Sequence, residues 1–304
     1  MVDKTSGIIE QSLKIKEVKR KEATHFALCN GGHIRYLISL HKLGKKKLCK
    51  NLSSYSSKLV LVVKLLQVTP FKLLKWCNLG YFVSVELNKQ IKCHLQNKDQ
   101  YSWNIIVGTY DEKQKLVIQD FTKETCETIY IKVGNVATKV AMQNEMSFLS
   151  QKHVFKSFSI PELIEGMFIS ENNPFSIQIT REFYGEKVEL GLNKEIVEIY
   201  KELAALEQSE EDEFSHGDFA PWNLKKDGNT YVVYDWEHCG RRMKGFDLLH
   251  YVVMPKVLLG NIPFIHAIKE GIEEIQCYVP EFNVDIEQFI IECRKLRLER
   301  KKYE

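Results

Sequence analysis

His216-Gly217-Asp218-Phe219-Ala220-Pro221-Trp222-Asn223-Leu224, followed by Tyr231-Val232-Val233-Tyr234-Asp235-Trp236-Glu237, is the stretch on which the reading of this 304-residue chain turns. It reads as a polar loop, a turn at Lys226-Asp227-Gly228-Asn229, and an apolar, β-branched run that delivers Asp235. Asp218 and Asn223 stand five residues apart in a segment that Pro221 makes too irregular for a helix face, so both side chains can converge on one cavity. The strand after the turn pairs beside the loop and brings Asp235 to the same place. Two carboxylates and an amide oxygen so arranged are the parts of a phosphoryl-transfer site. One carboxylate lies beside an attacking hydroxyl, while the amide and the second carboxylate hold a divalent cation against phosphate oxygens. Hard oxygen donors suit Mg²⁺ rather than zinc.

The pattern His-Gly-Asp, four residues, Asn, then Asp-Trp-Glu resembles the aminoglycoside phosphotransferase and choline kinase group. Downstream, Gly245-Phe246-Asp247-Leu248-Leu249 is similar to that group's following Asp-Leu element. The resemblance is dense over roughly residues 210–255, extends from about residue 100 to the C-terminus, and hardly touches the first hundred. It implies an α+β, two-lobed, protein-kinase-like fold, with a five-stranded antiparallel N-lobe and a helical C-lobe. It implies ATP and Mg²⁺ as cofactors and a small-molecule hydroxyl as acceptor. Asp218 then faces that hydroxyl, Asn223 and Asp235 hold the metal, and Glu237 assists with metal or water or braces the loop. His216 supports the catalytic loop and Asp247 braces it.

Upstream, Trp103–Gly108, Leu116–Phe121 and Glu127–Lys132 read as three strands of an antiparallel meander. In the resembled fold the first connection covers the nucleotide and a lysine on the third strand contacts its phosphates. That assigns Gly108 and Thr109 to the nucleotide loop and Lys132 to the phosphates. The loop has one glycine where a protein kinase has three. Residues 136–151 carry an apolar stripe at helical spacing, and the resemblance makes Glu145 the carboxylate that holds Lys132. Strands at Phe158–Pro161 and Phe175–Thr180 complete the expected five, and Arg181–Glu186 is the expected hinge. Helices are expected at about 193–207, 246–259, 263–278 and 285–298, with Trp222, Trp236 and Tyr251 either in the core or walling a cationic substrate. The domain reading is a basic segment of undetermined fold over 1–100, an N-lobe over 101–182 and a C-lobe over 183–304.

A chain of this length, 44% hydrophobic, can bury a sizeable core. Its formal charge of +3 conceals an asymmetry: residues 1–100 carry 19 Lys+Arg against 6 Asp+Glu, and the remainder 24 against 34. The basic part reads as a solvated segment or as a surface for anionic lipid or another polyanion. No recognisable nucleic-acid module accompanies it. The run Leu59–Leu66 is too short for a membrane span and contains Lys64. Eight cysteines without a Cys-x-x-Cys pair, and no leader-like opening, lead to the expectation of free thiols in a reducing cytoplasm. Three functions stay open at this point: a small-molecule kinase, a kinase-like nucleotide-binding scaffold without turnover, and a membrane-surface or polyanion-binding protein acting through residues 1–100.

Overall fold

The computed structural model describes residues 7–51, 68–96, 102–108, 113–121, 127–171 and 173–300. The chain is α+β and divides into two compact units, Met1–Gln143 with Glu162–Glu182, and Asn144–Pro161 with Phe183–Glu304.

The first unit is built on one sheet. Its strands are β1 (Leu13–Glu17), β2 (His25–Asn30), β3 (His33–Ser39), β4 (Gly80–Leu87), β5 (Trp103–Val107), β6 (Leu116–Phe121), β7 (Thr128–Gly134), β9 (Leu163–Met167) and β10 (Ser176–Arg181), in the order β1-β4-β2-β3-β5-β6-β7-β10-β9. All pairings in it are antiparallel. Alternation sorts the faces: Ile105, Ile118, Ile131, Val133, Ile177 and Ile179 are buried in one continuous core. Each such fully buried side chain contributes roughly 1.5–3 kcal/mol.

Two expectations change here. The five-stranded sheet is nine-stranded among the described residues, because the first hundred residues supply β1 to β4 and join the rest where Leu37 of β3 pairs with Ile105 of β5. The reason is legible in Leu13-Lys14-Ile15-Lys16, where basic residues alternate with apolar ones, so charge and strand formation coexist. Phe158–Ser159 (β8) leaves the sheet expected for it and pairs in the second unit, and β9 takes its place.

Helices α1 (Gly7–Ser12), α2 (Lys42–Asn51), α3 (Phe71–Trp76) and α4 (Lys89–Lys92) also belong to this unit. A buried polar chain fastens α2 to the sheet. Asn104 accepts from the Ser39 amide at 2.9 Å and donates to the Gly44 carbonyl at 2.9 Å and to Gln119 at 2.8 Å. Gln119 in turn donates to the Lys47 carbonyl and to the Tyr130 hydroxyl. Gly44 lies so close to the end of β3 that a Cβ there would come within 2.7 Å of the Ser39 side chain. The Lys47 ammonium donates to Thr128 at 2.7 Å and lies 3.5 Å from the Glu182 carboxylate. The basic segment is thereby an integral part of the sheet's packing. The run 59–66 lies outside the described residues. Among those described, no helix is long and apolar enough to cross a membrane.

Helix α5 (Lys139–Leu149) carries the chain from one unit into the other. The second unit holds β11 (Glu186–Lys187), α6 (Lys194–Ala204), β12 (Asp212–Ser215), β13 (Leu224–Asp227), β14 (Thr230–Val233), β15 (Gly240–Met243), α7 (Phe246–Leu258), α8 (Phe264–Gln276) and α9 (Ile286–Arg300). Two small sheets, β11-β13-β14-β8 and β12-β15, frame a loop and a hairpin. Every residue of α7 from Phe246 to Pro255 is buried, making it the central helix of this unit. It meets α8, and its Phe246 lies 5.4 Å from Phe289 of α9.

Candidate active site

The His216–Asn223 loop starts where Ser215 of β12 pairs with Gly240 of β15. Asp247, in the first turn of α7, holds that start. One of its oxygens accepts from the Ser215 hydroxyl at 2.7 Å and the Gly217 amide at 3.1 Å, and the other from the His216 amide at 2.6 Å. A buried carboxylate is stable there because these donors replace its lost hydration. Gly217 turns the chain with φ at +77°, and a Cβ there would stand 2.1 Å from the His238 carbonyl. Only glycine allows both.

His216 is fully buried and joins the loop to the end of β14. Its Nε2 lies 3.1 Å from the Tyr234 carbonyl, which can only accept, so Nε2 carries the hydrogen. Nδ1 is left to accept from the Asp218 amide at 3.2 Å. Burial pushes the imidazole pKa down, although the nearby carboxylates of Asp247, Asp218 and Asp235 pull the other way. The ring is a neutral cross-link set among three acids.

Beyond Phe219, Pro221 opens a single 3₁₀ turn that ends at Asn223. The Asn223 side-chain amide donates to the Asp218 carbonyl at 2.8 Å, leaving Oδ1 as its acceptor end. The hairpin registers the rest: Leu224 pairs with Val233, and the Tyr234 amide donates to the Asn223 carbonyl at 3.0 Å. Asn223 thus sits against Tyr234, and Asp235 follows in the left-handed conformation at φ 70°, ψ 57°. That conformation costs a non-glycine residue about 1–2 kcal/mol, a strain typical of functional positions.

Around this frame, Asn144 of α5 donates to the carbonyls of Glu237, at 3.1 Å, and Cys239, at 2.7 Å. The Glu237 carboxylate lies 3.4 Å from His238. Glu145 is buried, and the Cys239 thiol is pushed up to about 12, by burial first and then by the Glu145 charge. Asp218 itself is 8% exposed, and His250 of α7 lies beside it, Nε2 3.8 Å from Oδ1. Sequence reasoning passed over His250 and Asn144. His250 had a signal: it falls three residues after Asp247, on the same helix face.

The other predicted residues fall as follows. Lys132 is on β7 in the first unit, registered with Val117 and Gln178, on the face that also carries Tyr130. Gly108 follows β5, and its amide donates to the Lys115 carbonyl at 2.9 Å at the base of the connection. Thr109 lies outside the described residues. Glu145 belongs to the second unit. Trp236 and Tyr251 are core residues, Trp236 stacking on Phe148 at 4.1 Å, so neither walls a cationic ligand. Trp222 is half-buried.

The donor set fits Mg²⁺. The Asn223 Oδ1, the Asp235 carboxylate and, nearby, the Glu237 carboxylate are hard oxygens. Among the described residues no group of three or more His, Cys, Asp and Glu forms a metal cage of its own, so a cation here would draw its further ligands from phosphate oxygens and water.

No family profile matches the chain, and no curated protein does. Among solved structures it is similar to amicoumacin kinase hAmiN in complex with AMP-PNP, Ca²⁺ and Ami, at TM-score 0.42 and 12% identity over 82% of this chain and 90% of that one. It is also similar to spectinomycin phosphotransferase APH(9)-Ia in complex with ADP and spectinomycin, at TM-score 0.39 and 13% identity over 69% and 83%. At these scores the functional reading rests on the site itself.

Proposed function

We propose that this chain is a two-lobed, protein-kinase-like phosphotransferase that moves the γ-phosphoryl group of ATP to the hydroxyl of a small molecule, such as a sugar, amino sugar or amino alcohol. The observation that carries the reading is the second unit's frame. A neutral, buried His216 and the Leu224–Val233 register hold Asp218, Asn223 and Asp235 together through backbone contacts. Asp218 orients the acceptor hydroxyl and takes its proton as the new P–O bond forms and the bridging P–O bond to ADP breaks. Asn223 and Asp235, with Glu237 beside them, would hold Mg²⁺, which neutralises phosphate charge when bound. Lys132 and the Gly108–Thr109 connection are assigned to the nucleotide. His216 and Asp247 keep the loop in shape.

The single-glycine connection after β5 favours one alternative, a nucleotide-binding protein without turnover. A screen of small alcohols, sugars and amino sugars for ATP consumption, with product mass confirmed, separates the two. Phosphorylated product establishes the enzyme; nucleotide binding with no product across the panel favours the alternative.

A further inference from the structure

We infer that His250 is a positioning residue for Asp218, held as an imidazolium that turns one carboxylate oxygen toward itself and leaves the other for the acceptor hydroxyl. This rests on the transfer reaction proposed above.

The argument begins with the tautomer. His250 Nδ1 lies 2.9 Å from the Phe219 carbonyl, which can only accept, so Nδ1 carries a hydrogen. The ring is 2% exposed and stacks on Phe246 at 5.6 Å, so it is fixed in that pose. Nε2 then faces Asp218 Oδ1 at 3.8 Å. A neutral ring would point a lone pair at a carboxylate, two acceptors opposed in a buried site. A proton on Nε2 turns that repulsion into a charge-assisted contact. Burial alone disfavours both charged forms, and their mutual attraction at this distance offsets that. Asp247, one turn earlier on α7, is occupied by the Ser215, His216 and Gly217 donors, and His216 is neutral. Asp247 and His250 therefore divide the loop between them, one gripping its start and the other fixing the orientation of its reactive carboxylate.

Nitrogen-resolved NMR of the chain labelled in histidine tests this without any turnover. At neutral pH one histidine should show hydrogens on both ring nitrogens. That signal should vanish in His250→Asn and revert to a ring with hydrogen on Nδ1 alone in Asp218→Asn, whose amide can donate to Nε2. A neutral His250 in the wild-type chain would overturn the inference even if the transfer reaction stands, and an imidazolium would sustain it even if no acceptor is found. With an acceptor in hand, His250→Asn keeps the bond to Phe219 but loses the group facing Asp218. It should lower kcat by about 10–100-fold, the cost of a small misplacement, with KM for ATP and the melting temperature near wild type. His250→Gln, which keeps a donor toward Asp218, should recover several-fold of that loss. Equal rates in two folded variants would make His250 a packing residue and sink the assignment.

Discussion

Asn223 donates its side-chain amide to the backbone carbonyl of Asp218 at 2.8 Å, and that bond decides which end of the asparagine remains for a ligand. The residue has a structural and a ligand-facing half. Asn223→Ala should therefore cost about 1–3 kcal/mol by removing a buried hydrogen bond, and should also weaken Mg²⁺-dependent ATP binding. Chemical denaturation and calorimetry with and without chelator read the two effects separately. An Asn223→Ala chain whose ATP affinity still responds fully to Mg²⁺ would remove Asn223 from the metal.

Asp235→Asn keeps the left-handed turn, which asparagine tolerates, and discards a metal-binding charge. ATP affinity in Mg²⁺ should drop toward the value in chelator while the melting temperature holds. An unchanged affinity would mean that the metal, if bound, is held elsewhere.

Asp218→Asn preserves shape and removes the proton acceptor. Turnover should fall by roughly 10²–10⁴, the usual contribution of a positioned base, with ATP affinity near wild type. Single-turnover transfer to an acceptor from the screen is the measurement, and an unchanged rate in a stable variant would defeat the assignment.

The resemblance pairs Lys132 with Glu145. A double-mutant cycle on ATP affinity with Lys132→Ala and Glu145→Ala decides it: a pair gives a combined loss well short of the two single losses added, and simple additivity separates them.

Stability should fall in mild acid. His25 is fully buried, its Nε2 bonded to the Trp103 carbonyl, and burial lowers its pKa to about 4; burial lowers that of His216 as well. Unfolding returns each to the ordinary value of about 6.5, so below that pH the unfolded chain binds protons that the folded one refuses. The contribution of His25 is complete above pH 6.5 and is lost as pH falls toward 4, and that of His216 is lost in the same direction, by up to about 1.4 kcal/mol per pH unit for each histidine. Urea melts between pH 7 and 5 should show this slope, and His25→Gln should make it shallower. A slope identical in that variant would exonerate His25.

Much of the second unit was readable beforehand because its signals are local. The turn at Lys226–Asn229 lies between two short apolar runs, and pairing across it puts Asn223 beside Tyr234 whatever the rest of the chain does. The helices after residue 245 are legible in the same local way, Phe246–Leu258 as an apolar run of helix length and Phe264–Gln276 by its one-sided apolar spacing. What escaped was non-local. Phe158–Ser159 is two residues long and pairs in parallel with Tyr231–Val232, more than seventy positions away, so nothing beside it in sequence selects the sheet. The alternation in Leu13–Glu17 was present, but interleaved lysines merged it into a basic segment of undetermined fold, and its partner β4 lies some seventy residues on. His250 reads as one more residue on an apolar helix until the loop against it is seen.

The register of Tyr36 with Ile106 and Leu37 with Ile105 bears on how the chain can be cut. A fragment beginning near residue 101, which the motif alone would recommend, keeps the whole His216–Glu237 stretch and loses the neighbour of β5. That strand would become a raw edge, its Trp103, Ile105 and Val107 on one face and a row of unmatched amides and carbonyls along its flank, the geometry that recruits a second chain. Such a fragment should self-associate in concentrated solution, and its inactivity would report lost solubility rather than a ligand-binding duty of the missing part.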